Sequence, residues 1–170
     1  MAELAPRERL QPSLLDRLTD DDPASTAEPR ERRVLSLRTL RDGVLRDLAW
    51  LLNTTCLLSA GEAPRLPHLA NSVLNYGVPD LSGNSIANLN LARLERAIRQ
   101  AIWDFEPRLV RGTVSVRAVS GAGTDHNKLS FEIEADMWAQ PYPERLFLKT
   151  ELDLEQGGVT LVDGGARSAA

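Results

Sequence analysis

From residue 37 onward, apolar residues at Leu37, Leu40, Val44, Leu48, Leu51 and Leu52 recur at intervals of three and four, while Arg38, Arg41, Asp42, Arg46 and Asp47 fill the opposite face. This spacing predicts an amphipathic helix that ends near Asn53. Leu89, Leu91, Leu94, Ile98, Ala101, Ile102 and Phe105 predict a second helix, with Asn88 or Asn90 as its N-cap. A shorter helical pattern lies in RLQPSLLDRL at 9 to 18, where Leu10, Leu14, Leu15 and Leu18 share a stripe and Pro12 sits in the first turn.

Beyond the second helix the period drops to two. Val110, Val114, Val116 and Ala118 alternate with Arg111, Thr113, Ser115 and Arg117, which predicts a strand directly after FEPR. Leu129, Phe131, Ile133, Ala135 and Met137 alternate with Ser130, Glu132, Glu134, Asp136 and Trp138 in a second strand. Leu146, Leu148, Leu152 and Leu154 predict a third, GVTLV at 158 to 162 a short fourth, and GAGTDHN and PYPE supply turns.

Helices first and a meander afterwards predict an α+β domain: two main helices packed on one face of a small antiparallel sheet, with an N-terminal helical arm. The expected divisions are an arm over 1 to 18, a flexible linker over 19 to 33, a domain over 34 to 162 and a disordered tail over 163 to 170. The linker, TDDDPASTAEPRERR, has no side chain suited to a core. An arm on such a tether commonly docks on another protein, and folding back on its own domain is the alternative. The Pro- and Gly-rich stretch from 54 to 83 contains SVLNYGVPDLSG, where Tyr76, Gly77 and Pro79 suggest a fixed turn packed by its own apolar residues.

A length of 170 residues with 42% hydrophobic content suffices for one core. The net charge of -4 gives no global reason to expect nucleic acid or anionic lipid as a partner. All basic residues except Lys128 and Lys149 are arginine, whose planar forks suit carboxylates at interfaces, although genomic base composition is the blander explanation. Cys56 is the sole cysteine, and MAELAPRERL has no apolar signal core, so a reducing, cytoplasmic location is expected. The longest apolar run, LAWLL at 48 to 52, is far too short to insert in a membrane.

Candidate chemistry is sparse. Glu132, Glu134 and Asp136 invite comparison with the paired carboxylates of glycoside hydrolases, but they occupy one polar strand face, with Arg111 and Arg117 expected on the matching face of the preceding strand. His68 and His126 stand apart, Gly121 and Gly123 precede no helix, and Ser59, Ser72 and Cys56 have no histidine partner motif. No cofactor or metal is implied.

FEPRL at 105 to 109 raises a separate question, because a carboxylate is disfavoured where helix carbonyls already present negative charge. Pro107 explains why the helix stops, but not why Glu106 and Arg108 flank it. A guanidinium beside Glu106 would lower its pKa, which is wrong for a general acid. The order RLQPSLLDRL, VLRDLAWLLNT, SVLNYGVPDLSG and AIWDFEPRL resembles the TssE family of type VI secretion baseplate subunits and the related wedge protein of contractile phage tails, historically called lysozyme-like. The most specific element is Glu106, Pro107 and Arg108, and the resemblance covers nearly the whole chain.

The resemblance implies a non-enzymatic subunit that joins TssF and TssG in a baseplate wedge with TssK attached, at the inner face of the cytoplasmic membrane, as the platform for a TssB/TssC sheath. It also implies that Glu106, Pro107 and Arg108 contact the wedge's helical bundle, that the leucines of the arm bind a partner, and that an exposed edge among the strands of 109 to 162 accepts sheath strands. A purely local Glu106 to Arg108 pair closing the helix is the competing account of the tripeptide. A peptidoglycan hydrolase and a free peptide-binding adaptor are the competing functions.

Overall fold

The structure is a computed structural model and describes residues 13 to 19, 37 to 59, 61 to 80, 90 to 119, 128 to 138, 143 to 153 and 158 to 163. The expected linker and tail, apart from Thr19 and Asp163, lie outside these residues. Helix α1 is Leu14–Leu18, α2 is Leu37–Leu52, α3 is the short Pro67–Ala70, and α4 is Leu91–Phe105. Strands β1 (Ser115–Val119), β2 (Lys128–Met137), β3 (Glu144–Asp153) and β4 (Val159–Asp163) form one sheet in the order β1-β2-β3-β4, each neighbour antiparallel. The α+β class and the meander agree with the reading of the sequence.

The helical stripes are the ones the spacing predicts. α2 buries Leu40, Val44, Leu48, Leu51 and Leu52, and α4 buries Leu94, Ile98, Ala101 and Ile102. Asn90 caps α4, its side chain accepting from the Arg93 amide at 3.0 Å; Asn88 lies outside the described residues. These stripes meet Val116, Leu129, Phe131, Ile133, Ala135, Met137, Leu146 and Leu148 in a single core. Burying each of the larger aliphatic or aromatic side chains contributes about 1.5–3 kcal/mol before the entropic cost of ordering.

Two departures in the sheet have local causes. The chain does not run from FEPR straight into a strand: Arg111–Thr113 forms a 3-10 turn, and β1 begins at Ser115. Thr113 competes with the ladder, its hydroxyl donating to the Val110 carbonyl at 2.7 Å and accepting from the Asp136 amide at 2.8 Å. Just upstream, Leu109 makes an isolated antiparallel bridge with Met137. In β3, the inward phase includes Thr150, a buried polar residue whose hydroxyl donates to the Phe131 carbonyl at 3.3 Å. Leu154 lies outside the described residues.

On the outer face of the sheet, register places Arg117 opposite Glu132, on the matching face as expected, and among the described residues the ion pairs to these carboxylates come from β3: Lys149 to Glu132 at 3.5 Å and Arg145 to Glu134 at 3.0 Å. Arg111 turns away to donate to the Trp103 carbonyl at 2.8 Å.

The segment between α2 and α4 is pinned by backbone bonds more than by its own apolar residues. Val78 N–H donates to the Thr54 carbonyl at 2.8 Å and Cys56 N–H to the Val78 carbonyl at 2.9 Å. Gly77 makes this possible: its φ of 128° lies in the region L side chains rarely adopt, and a Cβ there would overlap the Thr54 carbonyl. Val78 enters the core and Tyr76 packs against it, with the Tyr76 ring edge-on to Phe105 at 5.2 Å, whereas Val73 and Leu74 face outward.

Candidate functional site

α4 closes at Glu106, whose amide still donates to the Ile102 carbonyl at 2.9 Å before Pro107 prevents continuation. The Glu106 carboxylate does not face the helix end. It turns to Arg108, whose backbone N–H and Nε donate to Oε1 at 3.1 and 2.7 Å while Nη2 donates to Oε2 at 2.5 Å. Three donors to one carboxylate outweigh the unfavourable position at the helix terminus. The local pair exists, therefore, and Pro107 holds its two members at fixed separation.

The network extends beyond the tripeptide. Arg108 Nη2 also reaches Asp47 Oδ2 of α2 at 2.5 Å. Asp47 Oδ1 accepts from Arg46 Nε at 2.9 Å, and Arg46 Nη1 donates to Asp16 Oδ1 of α1 at 2.6 Å. Charges alternate from the corner through α2 to the arm. Burial works against the Arg108 charge, but the hydrogen bonds and charges of Glu106 and then Asp47 outweigh it and raise its pKa above the ordinary value. For Asp16, burial pushes upward, while hydrogen bonds from Ser13 and Arg46 pull the pKa below its usual range. Tyr76 is raised by burial and by the charges of Asp47 and Glu106.

Glu106 is only 3% exposed, and Pro107 is the exposed member of the tripeptide. Asp47 had looked like one more charge on the polar face of α2.

The arm packs on its own domain through its polar side. Ser13 caps α1 and bonds Asp16, Asp16 reaches Arg46, and Leu14 and Leu18 stand 70% and 74% exposed, with Leu15 also outward. Leu10 lies outside the described residues. Thus the structure joins Glu106 and Arg108 in one network and brings the arm to it through Asp16, a residue the apolar stripe did not single out.

At the sheet edges, side chains occupy outward backbone positions. Glu95 of α4 accepts from the Ala118 amide of β1 at 2.7 Å. The Asn53 amide pairs with both polar groups of Val159 in β4, at 2.8 and 2.9 Å, as a strand backbone would. Antiparallel alternation then directs the backbone N–H and C=O groups of Leu161 and Asp163 toward the open side of β4 and leaves those of Val116 as the matching position on β1.

Among the described residues no group of three or more His, Cys, Asp or Glu could hold a metal ion, and no helix is long and apolar enough to cross a membrane. His126 lies outside them, and the Cys56 thiol is pushed up in pKa by burial. The fold and the corner define a small α+β domain in which an ion network ties a helix end to a neighbouring helix and a terminal arm. Residues 38–142 match the family of baseplate wedge protein gp25, and the chain belongs to that family. The match takes in both long helices but for Leu37, the corner, β1 and β2, while α1, β3 and β4 fall outside it. No curated protein and no solved structure matches the chain.

Proposed function

We propose that this chain is a non-enzymatic structural subunit of a type VI secretion baseplate wedge, cytoplasmic and assembled at the inner face of the cytoplasmic membrane. In this role it binds TssF and TssG, lies next to TssK, and provides the platform on which the TssB/TssC sheath begins. The observation that carries the reading is the match to the baseplate wedge family over residues 38–142, which contains the Glu106-Pro107-Arg108 corner. A rigid, pre-paired corner with an exposed proline presents a fixed shape to a partner at little ordering cost. The open side of β4, where the backbone groups of Leu161 and Asp163 point away from β3, is the edge suited to an incoming sheath strand.

The test is affinity capture of the full chain from its own cell lysate, followed by mass spectrometry. Stoichiometric TssF and TssG are expected, and a folded chain that captures neither refutes the assignment. Pro107→Ala provides the local version, because this exposed position can change without opening the ion network. Its affinity for a TssF and TssG complex should fall while its melting temperature stays within a few degrees of the parent. Clearing of purified cell walls by the protein would instead support the hydrolase.

A further inference from the structure

Arg46 is held less completely than Arg108. Its Nε and Nη1 have acceptors in Asp47 and Asp16, but Nη2 is buried with none among the described residues. Asp16 offers Arg46 a single oxygen, because its Oδ2 accepts from the Ser13 hydroxyl at 2.7 Å. A guanidinium fork is better matched by two parallel bonds to both oxygens of one carboxylate. Arg108 Nη1 is likewise buried without an acceptor among the described residues. Gly43 gives both groups room: a Cβ there would lie 3.4 Å from Asp16 Oδ2 and 3.6 Å from Arg108 Nη1.

Two arginines with unused donors thus flank a helix surface without a side chain, and a five-residue helix bonds one of them, Arg46, through one carboxylate that also borders the Gly43 position beside Arg108 Nη1. A helix of this length has no stability of its own, so α1 stays formed only while its docking contacts hold. We infer that Arg46 and Arg108 form a receptor for an aspartate or glutamate side chain on a partner polypeptide, and that Asp16 fills this position in the free protein as a displaceable internal ligand. The inference rests on the corner's being a partner-facing element.

Charge favours exchange over addition. Glu106, Asp47 and Asp16 already set three acids against Arg46 and Arg108, so a fourth acid would meet net repulsion unless Asp16 left. Exchange preserves the charge sum and permits a two-point contact at Arg46. It also releases α1 together with its outward leucines.

The experiment titrates the full chain with a short glutamate-rich peptide, with its glutamine counterpart as control, and follows backbone order parameters of residues 14 to 18. Only the glutamate peptide should lower them, from values near the rigid limit of about 0.85 to below about 0.6, while α2 is unaffected. Arg46→Gln should free α1 without peptide and abolish the peptide's effect. An arm that stays ordered at millimolar glutamate peptide overturns the inference, as does an equal response to the glutamine peptide. The proposed function fails separately: an arm released as described in a chain that recruits no TssF or TssG counts against that function alone, and an immobile arm in a chain that assembles normally counts against the displacement alone.

Discussion

Arg108 reaches across 61 residues of sequence to bond Asp47 of α2 at 2.5 Å with the same Nη2 that bonds Glu106. One nitrogen therefore fixes the end of α4 against the middle of α2. Glu106→Gln should destabilise the domain by about 3–5 kcal/mol, since breaking a buried pair leaves Arg108 without its principal counter-charge. Arg108→Lys should recover little, because an ammonium cannot span both oxygens of Glu106 and Asp47 together. Denaturant unfolding with an unchanged slope checks both variants.

Acid should release the arm before it unfolds the domain. The folded-state pKa of Asp16 lies below its ordinary value of 3.8, so the docking it supplies is fully present above that value and is lost as pH falls through the lowered one. Amide signals of residues 14 to 18 should therefore collapse at low pH in the parent protein. In Asp16→Asn they should already be disordered at neutral pH, with little change on acidification.

Gly77→Ala should cost at least about 2 kcal/mol, combining an unfavourable backbone region with overlap at the Thr54 carbonyl. Thermal unfolding reads the loss. Faster amide exchange at Val78 and Cys56 would place it at their paired backbone bonds.

Asn53→Asp keeps an acceptor for the Val159 amide but sets a carboxylate against the carbonyls of Val159 and Ala49, which the Asn53 amide now satisfies. Exchange at residues 159 to 163 should quicken, with a stability loss of about 1 kcal/mol per neutral hydrogen bond removed. Sheet positions in β2 should keep their protection.

The periodic elements were legible because burial along a helix or strand follows its repeat, and Leu40 through Leu52 and Leu129 through Met137 obey it without interruption. The pairing of Glu106 with Arg108 was legible as a possibility, since the two are neighbours. Asp47 was not, because its partner comes from a different element and nothing in the local period of α2 separates a bonded charge from a solvated one. Thr113 and Thr150 were hidden for a related reason: a β-branched residue fits an alternating strand pattern whether its hydroxyl bonds the backbone or not. The arm was legible as an apolar stripe, but the aspartate that docks it was not: Leu14, Leu15 and Leu18 face outward while Asp16 bonds Arg46 of α2.

The two plugged margins of the sheet carry a directional consequence. Glu95 and Asn53 each fill one outward backbone position, on β1 and on β4, which leaves Val116 open on one margin and Leu161 and Asp163 on the other. On the proposed reading, a ladder started at β4 propagates away from β1, and the side chain of Asn53 sets the position beside which its first new pairing falls.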